Sequence, residues 1–272
     1  MKIFMIKIHS MREFIKIEKD RIEFLDSRFY QHANGLFYPS VTTILDAYPK
    51  SYAFYEWVKK MGEDADEIRD EAGRKGSQVH QLCEDYDNEL ECSIINEFGD
   101  AQFKQIEWAM FERYVEFRER CGFELIANEV HYISPVLGFA GTLDRVFEKD
   151  GKRFLVDIKT SNALHNHYWL QMAAYRELWN EVNPDFKIDE IRTLWLNAKT
   201  RTDGNGKTTQ GIGWQLKEPE NGIDYYWNLF QSVYKVWQEE NRTMKPRNAS
   251  YQLTHKIGIN GTEKITSKNS RL

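Results

Sequence analysis

The chain has 272 residues and a formal net charge of -5, with 41% hydrophobic, 14% aromatic and 29% charged side chains, which excludes a disordered chain and supplies a sizeable core. Mean hydropathy is -0.65, no apolar run approaches the roughly 18 residues of a membrane span, and the start, Met1 to Ser10, has too short an apolar run for a secretory signal. Cys83, Cys92 and Cys121 are dispersed, which excludes a disulfide framework, a thiolate zinc site and a four-cysteine iron–sulfur cluster, and reads as a reducing, cytoplasmic compartment.

Residues 14–38 read as short strands. Phe24 to Tyr30 and Leu36 to Tyr38 flank His32 to Gly35, and Asn34-Gly35 is a hairpin turn signal. Ser40 then caps a short helix from Val41 to Leu45, and Tyr52 to Lys60 reads as another. Over 64–90, Ala65, Ile68, Ala72, Gly76, Val79, Cys83, Tyr86 and Leu90 recur at steps of three and four, an amphipathic helix expected to break near Gly73 and Gly76. Phe103, Ile106, Met110, Phe111, Tyr114 and Phe117 repeat the pattern over 102–120. Leu125 to Ile133, Phe139 to Glu148 and Arg153 to Thr160 then read as three strands, followed by a helix from about His167 to Glu181 and a strand from Ile191 to Asn197. Asp203 to Gly206 marks a loop, Trp214 to Lys217 an edge strand, Ile223 to Glu240 a last helix, and Asn260-Gly261 a hairpin in the polar tail. The order helix, three strands, helix, strand points to an α/β protein with a mixed central sheet and a helical N-terminal part. The chain divides into residues 1–100 (hairpin and helices), 101–240 (core) and 241–272 (tail), read as one domain.

Charge is distributed unevenly. Residues 61–100 carry thirteen acidic against three basic side chains, while 241–272 carry seven basic ones against Glu263 alone. A basic tail on an acidic body suits a polyanion partner, and equally a solvated tail with none.

The stretch from Gly138 to Thr160 carries the chemistry. Asp150-Gly151 is a two-residue hairpin signal, so Lys149 pairs with Lys152 and antiparallel partners sum to 301. Asp144 and Asp157 then face each other, with Cβ atoms roughly 4.5–5.5 Å apart, and Lys159 emerges on the same face. Leu143, Phe147, Phe154, Val156 and Ile158 form the opposite, apolar face, so a slip of one residue would bury the aspartates. Two opposed carboxylates repel. A shared proton offsets that, as does a divalent cation of the Mg²⁺ or Mn²⁺ type, since no thiolate is near. A solvated hairpin with an Asp–Lys diagonal pair is the plain alternative. His165 and His167 read as the start of the following helix, and Trp108, Tyr114, Trp169, Trp179 and Trp195 mostly as core.

Asp144 followed by Asp157-Ile158-Lys159 resembles the core of the PD-(D/E)XK nucleases. Gly76-Ser-Gln-Val-His80, Gly141-Thr-Leu-Asp144, Asp157-Ile-Lys-Thr160 and Gln171-Met-Ala-Ala-Tyr175, in that order, resemble the RecB-like exonuclease branch, over roughly residues 36–240. Tyr38-Pro-Ser-Val-Thr-Thr-Ile-Leu45 is similar to a segment of its phage and mitochondrial-genome-maintenance members. Each motif alone is weak; the order of four is specific.

The resemblance implies a restriction-endonuclease-like core and a Mg²⁺-dependent deoxyribonuclease, with Mn²⁺ able to substitute. Asp144, Asp157 and Lys159 would be catalytic. His80, Asp144, Asp157, the Ile158 carbonyl and Glu129 would be metal ligands. Arg74, Lys75, Thr160, Gln171 and Tyr175 would contact DNA. The chain departs from relatives that carry an iron–sulfur clamp, and it has no Walker A motif. The activity implied is a DNA exonuclease acting on single-stranded or duplex ends. Its setting would be phage DNA recombination, replication or repair, with phage proteins of those processes as partners, in the cytoplasm of the host cell. A structure-specific flap or junction endonuclease and a non-cleaving DNA-binding module are the alternatives.

Overall fold

In the computed structural model, which describes residues 17–18, 21–24, 27–243, 246–258 and 261–271, four short antiparallel strands come first: β1 (Ile17–Glu18), β2 (Arg21–Phe24), β3 (Ser27–Gln31) and β4 (Phe37–Pro39). Gly35, at φ 80°, lies in the turn between β3 and β4. Met1 to Ser10, residues 14–16 and Asn260 lie outside the described residues. Ser40 caps α1 (Val41–Leu45) by accepting from the Thr43 amide. Helices α2 (Tyr52–Met61), α3 (Asp64–Asp87) and α4 (Gln105–Cys121) follow.

Helix α3 runs unbroken through Gly73 and Gly76. A mid-helix glycine costs about 1 kcal/mol, which the helix tolerates at both positions; a Cβ at Gly76 would stand 3.4 Å from Thr160 Oγ1, an ordinary van der Waals contact. Its apolar stripe is shorter than the periodicity suggests. Val79, Leu82 and Cys83 are buried, whereas Ile68 and Leu90, and Ile106 of α4, lie in the open.

The central sheet is β11 (Gly213–Lys217), β8 (Glu190–Ala198), β7 (Lys152–Lys159), β6 (Phe139–Lys149) and β5 (Glu124–Ser134), in that spatial order. The β5–β6–β7 meander is antiparallel, α5 (Asn166–Val182) carries the chain to β8 parallel to β7, and β11 is an antiparallel edge. Strands β9 (Arg201–Thr202) and β10 (Thr208–Thr209) form a small ribbon, α6 (Ile223–Glu240) follows β11, and β12 (Arg247–Gly258) with β13 (Gly261–Arg271) makes a terminal hairpin.

One sheet face packs Val146, Leu155 and Ile191 against α1, α5 and α6, together with Phe29 and Phe37 of the first strands. The other packs Phe147, Val156, Ile158 and Leu194 against Val79 and Cys83 of α3 and Met110 and Tyr114 of α4. Leu143 joins the first cluster, not the second as alternation along β6 suggests. β6 pairs with β5 along its length but with β7 only from Lys149 to Arg145, and Leu143 lies past that point.

Candidate active site

Asp150 and Gly151 both adopt positive φ, 52° and 73°, the geometry of a tight hairpin turn. Lys149 pairs with Lys152, and the register holds through Arg145 opposite Val156. Asp144 and Asp157 come next, where the two strands part. β7 stays paired with β8 as far as Lys159. In the opening, Asp144 Oδ2 takes the place of a strand carbonyl and accepts from the Ile158 amide at 2.8 Å.

His80 projects from α3 into this opening. Its Nε2 is 3.1 Å from the Ile158 carbonyl oxygen, and its Nδ1 lies 3.6 Å from Asp144 Oδ2 and 3.8 Å from Glu129 Oε1. An Nε2–H donated to the carbonyl leaves Nδ1 facing the two carboxylates. Burial pulls the imidazole pKa down, but Asp144, Glu129 and Asp157 outweigh it and the net shift is upward. For Glu129 burial pulls upward, while His80 and Arg145 bring the net value below the usual carboxylate range. One lone pair of the Ile158 carbonyl, expected to face a metal, is thus engaged by His80.

His80, Glu129 and Asp144 offer ligand atoms all within 4.8 Å of one another. That is close to the roughly 4.2 Å separating opposite ligands of a magnesium ion held at about 2.1 Å. Two carboxylates, an imidazole and no thiolate suit a hard divalent cation. Asp157 stands beside this group, with a buried Oδ2 that accepts no aligned hydrogen bond.

Lys159 Nζ lies 2.6 Å from that Asp157 Oδ2, donates to Gln171 Oε1 at 3.2 Å and sits 4.4 Å above the Tyr168 ring. Burial raises the Asp157 pKa most, Lys159 opposes it, Asp144 adds to it, and the outcome is about 6. Burial works against the Lys159 ammonium, but Asp157 and Asp144 raise its pKa. Gln171 Nε2 in turn donates to the Tyr175 hydroxyl at 3.1 Å, so one chain of contacts runs Asp157, Lys159, Gln171, Tyr175. The Tyr175 ring is buried directly over Gly141, where a Cβ would come within 2.4 Å of a ring carbon. The glycine of Gly141-x-x-Asp144 and the tyrosine of Gln171-x-x-x-Tyr175 are therefore two sides of one contact.

Sequence reasoning missed Arg145. It is fully buried, with Nε 2.5 Å from Asp87 Oδ2, one terminal nitrogen 3.0 Å from Glu129 Oε1 and 2.7 Å from the Asp144 carbonyl, and its guanidinium over the Tyr114 ring. The Tyr114 hydroxyl donates to Asp87 Oδ2 at 2.5 Å. Asp87 lies two turns beyond His80 on α3, so this cation ties the His80 helix to the Glu129 strand. Glu129 itself has φ 46°, a left-handed conformation costing a non-glycine residue on the order of 1 kcal/mol. The signal was present in the register. Arg145 lies opposite Val156, which puts a charge on the apolar face.

A cleft of about 690 Å³ exposes His80, Glu129, Asp144, Asp157, Lys159, Gln171 and Tyr175, with Thr42 and Arg28 on its wall. A second cavity of about 530 Å³ adjoins it through His80 and Lys159 and is lined by Lys75 and Thr160. Arg74 does not join them, turning instead toward Glu71 and Glu107 of α4 at 3.6 and 4.0 Å, since adjacent helical residues point about 100° apart. His165 takes the N-cap position of α5 and stacks on His167. Burial, His165, Lys50 and Lys159 lower the His167 pKa to about 4. Tyr114, Trp169 and Trp179 are buried, and Trp195 donates to the Ser161 carbonyl at 2.7 Å. No helix among the described residues is long and apolar enough to cross a membrane.

Residues 51–248 match the family model of the PD-(D/E)XK nuclease superfamily. No curated protein matches the sequence. Among solved structures, the chain is similar to a protein from Eubacterium rectale named for a suspected exonuclease activity, with 14% identity, a TM-score of 0.36, and coverage of 75% of this chain and 82% of that one. It is also similar to SSO0001, with 10% identity, a TM-score of 0.27, and coverage of 59% and 85%.

Proposed function

The chain belongs to the PD-(D/E)XK nuclease superfamily, and from that premise we propose that it is a Mg²⁺-dependent DNA exonuclease of the RecB-like branch. One observation carries the reading. His80 from α3 meets Glu129 and Asp144 from the sheet, beside an Asp157–Lys159 pair on the wall of an open cleft. The order of the four motifs supports the RecB-like branch, and with it a role in phage DNA recombination, replication or repair in the host cytoplasm.

Asp144, Glu129 and His80 would hold the cation, with Asp157 joining from across the strand opening. A bound divalent ion supplies charge neutralisation at the phosphate and acidifies water. The protein's own groups do the rest. Lys159 stays protonated at neutral pH, since Asp157 and Asp144 raise its pKa against the effect of burial. An ammonium has no lone pair to offer a metal, so it donates to the attacking water or to the phosphoryl oxygens as charge builds there. Gln171 fixes its direction, and Tyr175 fixes Gln171.

The test uses end-labelled single-stranded and duplex linear DNA beside circular DNA, each with Mg²⁺ and with EDTA. Metal-dependent release of nucleotides from ends, with circles intact, is the expected result. Cleavage of circles assigns an endonuclease instead, and intact DNA under every condition overturns the enzymatic reading.

A further inference from the structure

The terminal hairpin lies almost wholly beyond the superfamily match, which stops at residue 248. Its strands β12 and β13 have 12 and 11 residues and, among the described residues, pair only with each other. At about 3.4 Å per residue the ribbon is about 40 Å long, more than one turn of B-form DNA at about 34 Å. A two-stranded hairpin alone in water is marginally stable at best, so the ribbon calls for a partner. The charge of that partner follows from the ribbon's own. Arg247, Lys256, Lys264, Lys268 and Arg271 stand against Glu263 as the one acidic residue, in a chain of net charge -5. Arg247 and Arg271 occupy directly opposed positions at the open end, where like charges repel and a bound anion relieves them. Successive strand residues fall on opposite faces. Ser250 opposite Lys268, Gln252 opposite Thr266 and Thr254 opposite Lys264 therefore share one face, polar and free of acids. Tyr251, Leu253 and Ile265 fall on the other.

We infer that the β12–β13 ribbon is a DNA-binding arm whose polar face, carrying Lys264 and Lys268, enters the major groove of duplex DNA. It rests on the nuclease reading in one respect, the choice of DNA as the polyanion. The major groove admits a two-stranded ribbon, whereas a single strand offers no groove to fill. The lysines neutralise phosphates, the source of most non-specific affinity. Serine, threonine and glutamine side chains are among those that bond phosphates and base edges. Without residues 241–272, which carry seven basic side chains against one acidic, the chain would be more acidic than it is. The arm therefore supplies a long-range attraction for DNA that the body lacks. Such an arm keeps the protein on its substrate between cuts.

The experiment measures binding of the full chain to a labelled duplex of about two helical turns and to a labelled single strand, over a salt series. It is run in EDTA, so that no cleavage intervenes. The double variant Lys264→Gln, Lys268→Gln should bind unrelated duplex sequences more weakly and to the same degree. The log–log salt dependence should flatten by about 1.8, two phosphates at about 0.9 each, which is a loss on the order of tenfold or more at about 0.1 M salt. Single-strand binding should stay near wild type. Lys264→Arg with Lys268→Arg, which keeps both charges, should restore affinity and slope. Wild-type duplex affinity and slope in the glutamine variant overturn the arm, whether or not the protein cuts DNA. Equal losses on duplex and single strand overturn the groove assignment. Self-association that the glutamines abolish, with duplex binding unchanged, assigns the ribbon to a second copy of the chain instead. If the duplex effect appears as expected while DNA stays uncut in Mg²⁺ and Mn²⁺, the arm stands and the nuclease reading falls.

Discussion

Asp157→Asn removes a carboxylate whose ionisation the folded chain opposes. The carboxyl is 1% exposed. Burial first, then Asp144, raise its pKa from 3.8 to about 6 against the pull of Lys159. The folded state therefore binds this proton more tightly than the unfolded state does. Stability from this group is fully present below pH 3.8, falls as pH rises, and is lost above pH 6. Roughly two pH units at about 1.4 kcal/mol each give a cost of up to about 3 kcal/mol at neutral pH. That figure already contains the Lys159 attraction. An asparagine, uncharged at every pH, escapes the cost. For a chain of this size each kcal/mol shifts Tm by roughly 2–4 °C, so the variant should melt up to about 10 °C higher than wild type at pH 8 in EDTA. The gap should close toward pH 4. Mn²⁺ should raise the melting temperature of the wild type and do less for the variant. Calorimetric scans from pH 4 to 8, with and without Mn²⁺, measure all of this. A variant that melts below wild type at pH 8 in EDTA, or a gap independent of pH, refutes the reasoning.

Lys159→Ala should lower kcat by about 10²–10³ and leave Mn²⁺ affinity near the wild-type value, read by single-turnover cleavage and calorimetric titration on the same sample; loss of metal binding would contradict it. Arg145→Met leaves Asp87 buried without its closest cation, and breaking such a buried pair costs about 3–5 kcal/mol, visible in urea unfolding. Mn²⁺ should also bind the folded fraction more weakly, because α3 and Glu129 lose their common anchor. Gly141→Ala puts a methyl 2.4 Å from a buried Tyr175 ring carbon, so stability should drop by about 1–3 kcal/mol. Cleavage should fall with it, as Tyr175 no longer holds Gln171 in place; an unchanged melting temperature would show that the ring yields without cost.

Local rules made much of this molecule legible in its sequence. The order of elements follows from apolar periodicity and turn residues, and the 301 register follows from a two-residue turn whose geometry the chain imposes on every pair as far as Arg145 and Val156. That register brings Asp144 and Asp157 to the end of the paired stretch, but the strands part there and the two do not pair across the ladder; Asp144 accepts from the Ile158 amide instead. What tertiary structure alone decided depends on segments far apart in the chain. Periodicity assigns α3 an apolar stripe, but only the sheet's position beneath its second half decides that Val79 is buried and Ile68 exposed. Glycine's low helix propensity argues for a break near Gly73 and Gly76, and the burial of Ala65, Val79, Leu82 and Cys83 on either side keeps α3 in one piece. Arg145 looks like an ordinary strand charge until Asp87 and Glu129 close around it. His80 likewise acquires its partners only when α3 docks. A sequence states which atoms are charged or apolar; how deeply each is buried, and so how strongly charges act on one another, is a property of the packed chain.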